Sequence, residues 1–427
     1  MESHKLRIAI ATLGCKVNFF ESAGIVSQFP DVELVDFDEP ADVYIINTCT
    51  VTNRTDYKSR NLIRKALRRK EQDPKAKVIV TGCFAQRSSE EIRTLGDIDF
   101  IVDNQSKLDI DQILTGKQHD FMDIMTAEAF AYRPVDNMLG HTRAFQKIQD
   151  GCDFYCHYCA VPYARGHSRS ARFEDVISQA RLFARQGFKE IVLGGVNLGL
   201  YHDNRHNLSN VIKAIADIDE IKLIRLSSIE PQLFDKDLLG TARQVPKLCM
   251  HFHIPVQSGS DTILSCMGRR YKTEDVRSLV QRVVENLPNP AIGFDLITGF
   301  PGETLQHHDE TIAFVSSLPI AYLHVFSYSK RKGTPAASMK AQVDKEEKKA
   351  RTASLAALSQ QKSARFQQRL VQSDQVLRGI IEKERDGMYE FLSDRYLRIG
   401  LRGEHKVGEY ASIPASQAVF LRSDLEN

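Results

Sequence analysis

Cys152, Cys156 and Cys159 lie in the run Gly151-Cys-Asp-Phe-Tyr-Cys-His-Tyr-Cys-Ala160, a C-x3-C-x2-C spacing. Three thiols on one short loop are organised round something that their sulfurs bind. Three thiolates suit a 4Fe–4S cluster, whose irons take sulfur ligands. Three ligands for four irons leave one iron open, and an open metal position is what a reactive centre needs, as in catalytic zinc sites. A structural zinc site would show two paired ligand groups, and a matching second C-x-x-C is absent.

A chain of 427 residues has room for two or three domains and a large core. Apolar content of 42% and charged content of 26% are ordinary for a soluble protein. The net charge of +2 excludes attraction of nucleic acid by overall charge, so any basic surface must be local. No hydrophobic run reaches membrane-spanning length, and Met1-Glu-Ser-His-Lys5 does not read as a signal peptide. A cytoplasmic protein is expected. In that compartment 8 Cys argue for metal ligation over disulfides.

The patterning predicts an α/β multidomain chain. Residues 1–135 alternate strand and helix, with strands at Leu6–Ala11, Val43–Asn47, Lys77–Thr81 and Phe100–Val102, an open parallel α/β layout. Three of the runs end in a cysteine: Thr12-Leu-Gly-Cys15, Ile46-Asn-Thr-Cys49 and Val80-Thr-Gly-Cys83. Ligands of open α/β sheets sit at the carboxyl ends of strands, so these three Cys are candidates for a second cluster. Free Cys is also a common buried hydrophobe, which is the plainer alternative. After Cys49 comes a basic helix, Arg54 to Lys70, with Leu62, Ile63, Ala66 and Leu67 on its apolar face. Its cations make either a solvated surface or a phosphate-backbone contact.

Residues 136–342 hold six further β–α units, a partial (β/α)6 barrel. The strands are Phe145–Ile148, Glu190–Leu193, Lys222–Ser227, Cys249–Ile254, Ile292–Ile297 and Tyr322–Ser327. The C-x3-C-x2-C run follows the first. Gly194-Gly195, Ser228-Ile-Glu230, His253-Ile-Pro-Val-Gln-Ser-Gly259 and Asp295 to Thr304 follow or end later ones. Together they point to one small-molecule site at the strand carboxyl ends. Residues 343–370 read as a connecting helix. Residues 371–427 carry short strands at Val376–Ile381, Tyr389–Leu392, Tyr396–Leu401, Glu409–Ile413 and Ala418–Leu421, the mark of a small β-barrel.

The run Cys152–Cys159 is similar to the cysteine signature of radical S-adenosylmethionine (SAM) enzymes, and the whole chain resembles the methylthiotransferases among them. The residues that carry the resemblance are Thr12-Leu-Gly-Cys-Lys-Val-Asn18, Asn47-Thr-Cys-Thr-Val-Thr52, Thr81-Gly-Cys83, Cys159-Ala-Val-Pro-Tyr-Ala-Arg-Gly166, His253 to Gly259 and Met267-Gly-Arg-Arg-Tyr271. Gly-Cys-Lys-Val-Asn resembles the branch that acts on threonylcarbamoyladenosine beside the tRNA anticodon. The chain departs from that branch at Phe19-Phe20. The sister branches act on isopentenyladenosine tRNA or a ribosomal-protein aspartate. A non-catalytic iron–sulfur RNA-binding or sensor protein is the alternative of another class.

The resemblance implies two 4Fe–4S clusters, one on Cys152, Cys156 and Cys159 that binds SAM, and one on Cys15, Cys49 and Cys83 that holds the sulfur to be transferred. It implies no side-chain acid or base, because a radical made from SAM takes the hydrogen from carbon 2 of the base. Tyr158, Gly194, Gly195, Ser228 and Glu230 are the candidate SAM contacts, and Cys249 and Cys266 are expected to be structural. The implied partners are the tRNA anticodon loop, an electron donor of flavodoxin or ferredoxin type and a sulfur source, with no membrane. The C-terminal region resembles a TRAM domain, an RNA-binding module. Its acidic residues outnumber its basic ones, so the Arg54–Lys70 helix is expected to share the contact with RNA.

Overall fold

The computed structural model describes residues 5–421; Met1 to His4 and residues 422–427, at the two ends of the expected domains, lie outside the described residues. The N-terminal sheet is parallel, with strands β1 (Leu6–Thr12), β2 (Val32–Val35), β3 (Val43–Thr48), β4 (Lys77–Gly82) and β5 (Phe100–Ile101) in the order β2-β1-β3-β4-β5. Helices α1 (Lys16–Val26), α2 (Asn53–Gln72) and α3 (Cys83–Arg93) connect them. β3 is buried along its whole length, as its run of Val, Tyr and Ile requires of a strand covered on both faces. β2 is missing from the expected strands. It is a short edge strand with a half-exposed surface, and Glu33 on it pairs with Arg7, so its apolar signal is weak.

The strand order reverses direction between β1 and β3, and in open α/β sheets that switch point is where a ligand crevice forms. Cys15 follows β1, Cys49 follows β3 and Cys83 opens α3 after β4, so the three cysteines stand at the ends of three neighbouring strands.

Six parallel strands follow: β6 (Ala144–Lys147), β7 (Glu190–Gly194), β8 (Leu223–Leu226), β9 (His251–Gln257), β10 (Ala291–Thr298) and β11 (Tyr322–Ser327). β6, β7 and β8 pair in one sheet and β9, β10 and β11 in another. Among the described residues one isolated parallel bridge, Ile224 with Leu248, and the Ile229 N–H to the His253 carbonyl link the two. Cys249, expected within the fourth strand, therefore precedes it; its N–H bonds to the Ile224 carbonyl. Helices Phe173–Arg185, Leu208–Ala216, Lys236–Gln244, Thr273–Asn286 and Leu305–Ser317 cover the outside.

The N-terminal sheet lies across the open side between β6 and β11. On one flank Phe20 and Ala23 of α1 join the core of the six-stranded unit, and Phe19 packs on His141 and Phe145. This packing accounts for the Phe19-Phe20 departure. On the other flank Arg331, beyond β11, pairs with Asp56 at 2.8 Å and reaches the Thr50 carbonyl at 3.0 Å. Helix α4 (Val161–Arg165) follows the cysteine loop, and α5 (Lys345–Gln372) runs along β11. Helix α5 does more than connect, since it supplies Leu355 to the central core and Phe366 and Leu370 to the C-terminal one. The C-terminal strands (376–385, 388–393, 398–401, 410–414 and 419–420) form one antiparallel sheet of five. The third begins at Arg398 rather than Tyr396. Tyr396 sits at φ +61° and stacks on His251 at 4.3 Å, under the amino ends of the central strands. No helix among the described residues is long and apolar enough to cross a membrane.

Candidate active site

Each trio of cysteines is brought together by backbone geometry. Gly14 holds φ +104°, and a Cβ on it would lie 2.9 Å from the Cys49 sulfur. Gly82 holds φ +94°, and its Cβ would meet the Thr48 carbonyl at 2.4 Å. Only glycine allows this approach, so the residue before each of Cys15 and Cys83 is set by the cysteines' convergence. Burial, then the neighbouring Cys83, pushes the Cys49 thiol up to about 12. Burial raises Cys15 too, against the charge of Arg165. Cys15 is nevertheless exposed to solvent.

In the second trio the loop turns through Tyr155 at φ +50°, an uncommon conformation for a non-glycine residue. Burial and the nearby Cys156 hold the Cys159 thiol up at about 12, and burial raises Cys152. Polar donors surround the sulfurs. The Val161 N–H reaches Cys159 at 3.4 Å, Arg269 reaches Cys156 at 3.2 Å and the Asn197 amide reaches Cys152 at 4.0 Å. The thiols of each trio lie near enough to oppose one another's ionisation, with N–H donors beside the sulfurs of the second. Both trios fit an iron–sulfur cluster by donor type, and the N–H groups are what tunes such sulfurs.

Arg165 ties the helix that follows one trio to a sulfur of the other. It ends α4, six residues after Cys159, and is 2% exposed. Its Nε donates to the Cys83 sulfur at 3.3 Å. Its Nη atoms donate to Glu21 at 2.7 and 2.9 Å, to Asp150 at 3.1 Å and to the Asn18 side chain at 2.5 Å. Lys107 and Lys147 also reach Glu21, at 2.6 and 2.8 Å. Burial opposes ionisation of Glu21, but these three cations hold its carboxyl well below the usual range. Asp150 is held at about 2 by Arg165 and Lys147 in spite of burial.

The expected SAM contacts occupy varied surroundings. Tyr158 packs beside Met267 and Phe300, and its hydroxyl accepts from Arg269 at 3.4 Å. Glu230 is ion-paired with the same Arg269, which also donates to the Pro255 carbonyl at 2.8 Å and to Tyr271 at 2.7 Å. Tyr158, Glu230 and Cys156 thus meet at one guanidinium, which the sequence pattern does not single out although it lies in the Met267–Tyr271 motif. Gly194 and Gly195 close β7. A Cβ on Gly195 would lie 2.9 Å from Gln149 Oε1, so its smallness serves packing of Gln149, while Gly194 has ordinary space. Gln149 braces the loop, donating to the Gly151 carbonyl at 2.8 Å and accepting from the Asn197 N–H at 2.8 Å. Ser228 lies 2.6 Å from His253 Nδ1, and His253 Nε2 lies 2.9 Å from Asp295. His324 completes a group whose ligand atoms lie within 4.8 Å of one another. Cys249 is buried, whereas Cys266 is exposed.

On the outside, α2 carries a basic stripe. Lys65 pairs with Asp38, Arg69 reaches the Asp38 carbonyl, Arg60 pairs with Glu91, and Lys70 pairs with Asp97 and Asp99. Arg54, Lys58, Arg64 and Arg68 are exposed and have no ion-pair partner among the described residues. Lys58, Arg64 and Arg68 line an open depression of about 540 Å³ that also contains Leu13, two residues before Cys15.

Residues 7–103 match the model of the uncharacterized protein family UPF0004, and residues 147–315 match the radical SAM superfamily. The threonylcarbamoyladenosine tRNA methylthiotransferase MtaB of Bacillus subtilis is 38% identical over 431 residues, which cover 97% of this chain and 94% of the relative. The chain belongs to the radical SAM methylthiotransferases of the MtaB type. The MtaB of Aquifex aeolicus is 36% identical over 421 residues, covering 96% of this chain and all of the relative (100%). The tRNA-2-methylthio-N(6)-dimethylallyladenosine synthase of Natranaerobius thermophilus is 34% identical over 367 residues, covering 82% and 80%. Among solved structures, the radical SAM methyltransferase TsrM of Kitasatospora setae, with cobalamin and a [4Fe-4S] cluster bound, has a TM-score of 0.59 at 14% identity, covering 78% of this chain and 77% of that one. That likeness is one of fold. As a radical SAM methylthiotransferase the chain is an enzyme, and the family implies a 4Fe–4S cluster and SAM.

Proposed function

We propose that this chain inserts a methylthio group at carbon 2 of threonylcarbamoyladenosine, next to the anticodon in tRNA. The observation that carries the reading is that Arg165, on the helix that follows the Cys152–Cys159 loop, donates to the Cys83 sulfur of the other trio, whose Cys15 is exposed to solvent. Cys152, Cys156 and Cys159 hold one 4Fe–4S cluster, and Cys15, Cys49 and Cys83 hold a second. When bound, the first cluster with SAM supplies the radical that an unactivated aromatic C–H demands.

The chain's own side chains bind and orient. Arg269 compensates the buried Glu230, so that this carboxylate can stay charged to accept from a ligand's ribose or amine. Burial pushes Glu230 up, which makes that compensation necessary. Tyr158 walls the same pocket. Ser228 is oriented by His253, which Asp295 holds in turn. Gly194 and Gly195 leave β7 free of side chains at its carboxyl end. Tyr396, stacked on His251 and Tyr322, ties the C-terminal sheet to the amino ends of the strands.

The domains run 1–135, 136–342 and 371–427, with 343–370 as the helix between the last two. The middle one is a (β/α)6 partial barrel and the last a TRAM-like barrel. The free cations of α2 take the RNA backbone, leading from the depression to Cys15. An electron donor and a sulfur source complete the cytoplasmic reaction. Nucleoside mass spectrometry of tRNA from cells with and without the gene tests the assignment. Loss of the methylthio form of threonylcarbamoyladenosine is expected; loss of the isopentenyl form instead would overturn it.

A further inference from the structure

Lys16 follows Cys15 directly and begins α1. It is half-buried, and among the described residues it has no hydrogen bond or ion pair. Phe19, one turn along α1, packs on Phe145, over whose ring Arg143 lies at 5.9 Å. Arg143, Arg225 and Glu190 act on Lys16 electrostatically. Those two arginines come from the amino end of β6 and from β8, inside the central unit. Glu190 is already committed, to Arg225 at 2.7 Å and to Arg143 at 3.7 Å. Glu382, from the C-terminal sheet, is shared between Arg143 at 2.6 Å and Arg398 at 2.9 Å. Arg225 also donates to the Ser393 carbonyl at 3.0 Å, and the nearby Asp394 is paired with Arg378 and Arg395. None of these carboxylates pairs with the ammonium. Arg225 is fully buried (0% exposed), yet its Nη1 has no acceptor, and neither do Nε and Nη1 of Arg143. Enclosed donors left without acceptors are costly, and an entering anion would repay them.

We propose that Lys16, Arg143 and Arg225 form a subsite for the carboxylate of the substrate's N6 side chain, which selects an acid-bearing adenosine over one with an apolar substituent. This rests on the threonylcarbamoyladenosine reading above. The position agrees with the chemistry. Carbon 2 and the N6 group of adenine flank the same ring nitrogen, so a base presenting carbon 2 near Cys15 turns its N6 chain to the same edge. Lys16 stands next to Cys15 on that edge.

An RNA phosphate offers similar chemistry, and the test separates the two. Anticodon stem-loops carrying adenosine, threonylcarbamoyladenosine or isopentenyladenosine at the target position are titrated into the cluster-loaded protein, and affinity is read by fluorescence anisotropy. The unaltered protein should prefer the acid-bearing loop. Lys16→Met should cut that preference by about tenfold to a hundredfold, the usual worth of a charge-assisted hydrogen bond, and Lys16→Arg should keep it. Arg143→Met, far from Cys15 in sequence, should reduce it too; this variant decides the matter if Lys16→Met loses iron. An equal loss of affinity for all three loops would mark a phosphate contact and overturn the subsite. So would an unchanged preference in both Met variants. If the unaltered protein shows no preference for the acid-bearing loop, the substrate reading itself fails.

Discussion

Replacing Arg165 with methionine should loosen the joint between the N-terminal sheet and the central unit without unfolding either. Methionine keeps most of the length and removes the charge. The loss leaves Asn18 Oδ1 without its donor at 2.5 Å, takes two bonds from Glu21 and leaves Asp150 with Lys147 and the Gly151 N–H. Breaking a buried ion pair from one side costs about 3–5 kcal/mol. Lys107 and Lys147 remain on Glu21, so the lower end, about 3 kcal/mol, is expected here. That corresponds to about a hundredfold rise in local opening. Hydrogen exchange in the amides of α1 (Lys16–Val26) and α4 (Val161–Arg165) reads it directly, with the β3 amides as an internal standard. Arg165→Lys should fall between, since it restores charge but not the forked geometry. Unchanged exchange in α1 and α4 of the methionine variant would refute the reasoning, because the network would then contribute nothing to the joint.

Cys152→Ala should abolish SAM cleavage, whereas Cys49→Ala should retain cleavage and lose methylthiolation, with each losing about half of the bound iron and sulfide; full iron in either variant would count against two clusters. Reversing the charge at Lys58, Arg64 and Arg68 should weaken tRNA binding and flatten its salt dependence in a filter-binding assay, by about one unit of log–log slope for each phosphate no longer neutralised. Arg69, tied to the Asp38 carbonyl, should matter less. Asp295 titrates at about 2 instead of 3.8, since His253 and His324 outweigh the burial that would raise it. A depressed carboxyl stabilises the fold above its unfolded value and loses that contribution as pH falls through the folded one. Asp295→Asn should therefore cost about 2 kcal/mol in urea unfolding at neutral pH, shrinking between about pH 4 and pH 2; a deficit independent of pH would argue that packing, not charge, is at stake.

The cysteines were legible because their chemistry needs close spacing or strand-end placement, and both patterns survive in one dimension. The parallel strands were legible for a similar reason: buried strands such as Val43–Thr48 read as unbroken apolar runs. What the sequence hid is charge that turns inward. Glu21, Lys107, Lys147 and Arg225 look like ordinary surface residues, yet each is 4% exposed or less. Apart from Lys147 with Asp150, three residues on, their ion-pair partners lie from 35 to 144 residues away, so little that is local announces the pairing. Arg269 was hidden inside a motif whose other residues drew the attention. Ser228 and Gly195 were found as strand-end residues, but their immediate neighbours, His253 and Gln149, emerge only from the packing of adjacent strands. On α2 the opposite happened: a row of cations that looked uniform divides into paired and free members once Asp38, Glu91, Asp97 and Asp99 approach from other elements.

The N-terminal sheet is fastened on both flanks, by the Arg165 network against β6 and by Arg331 beyond β11. A sheet held at two edges does not swing aside like a door. A nucleotide that is to meet both cysteine trios must therefore do the moving, leaving its stacked neighbours and approaching them singly. Unstacking costs a few kcal/mol and is cheapest where a base is already unpaired. Duplex stems would then be refused on mechanical grounds, before any group on the base is read, and loops would be admitted.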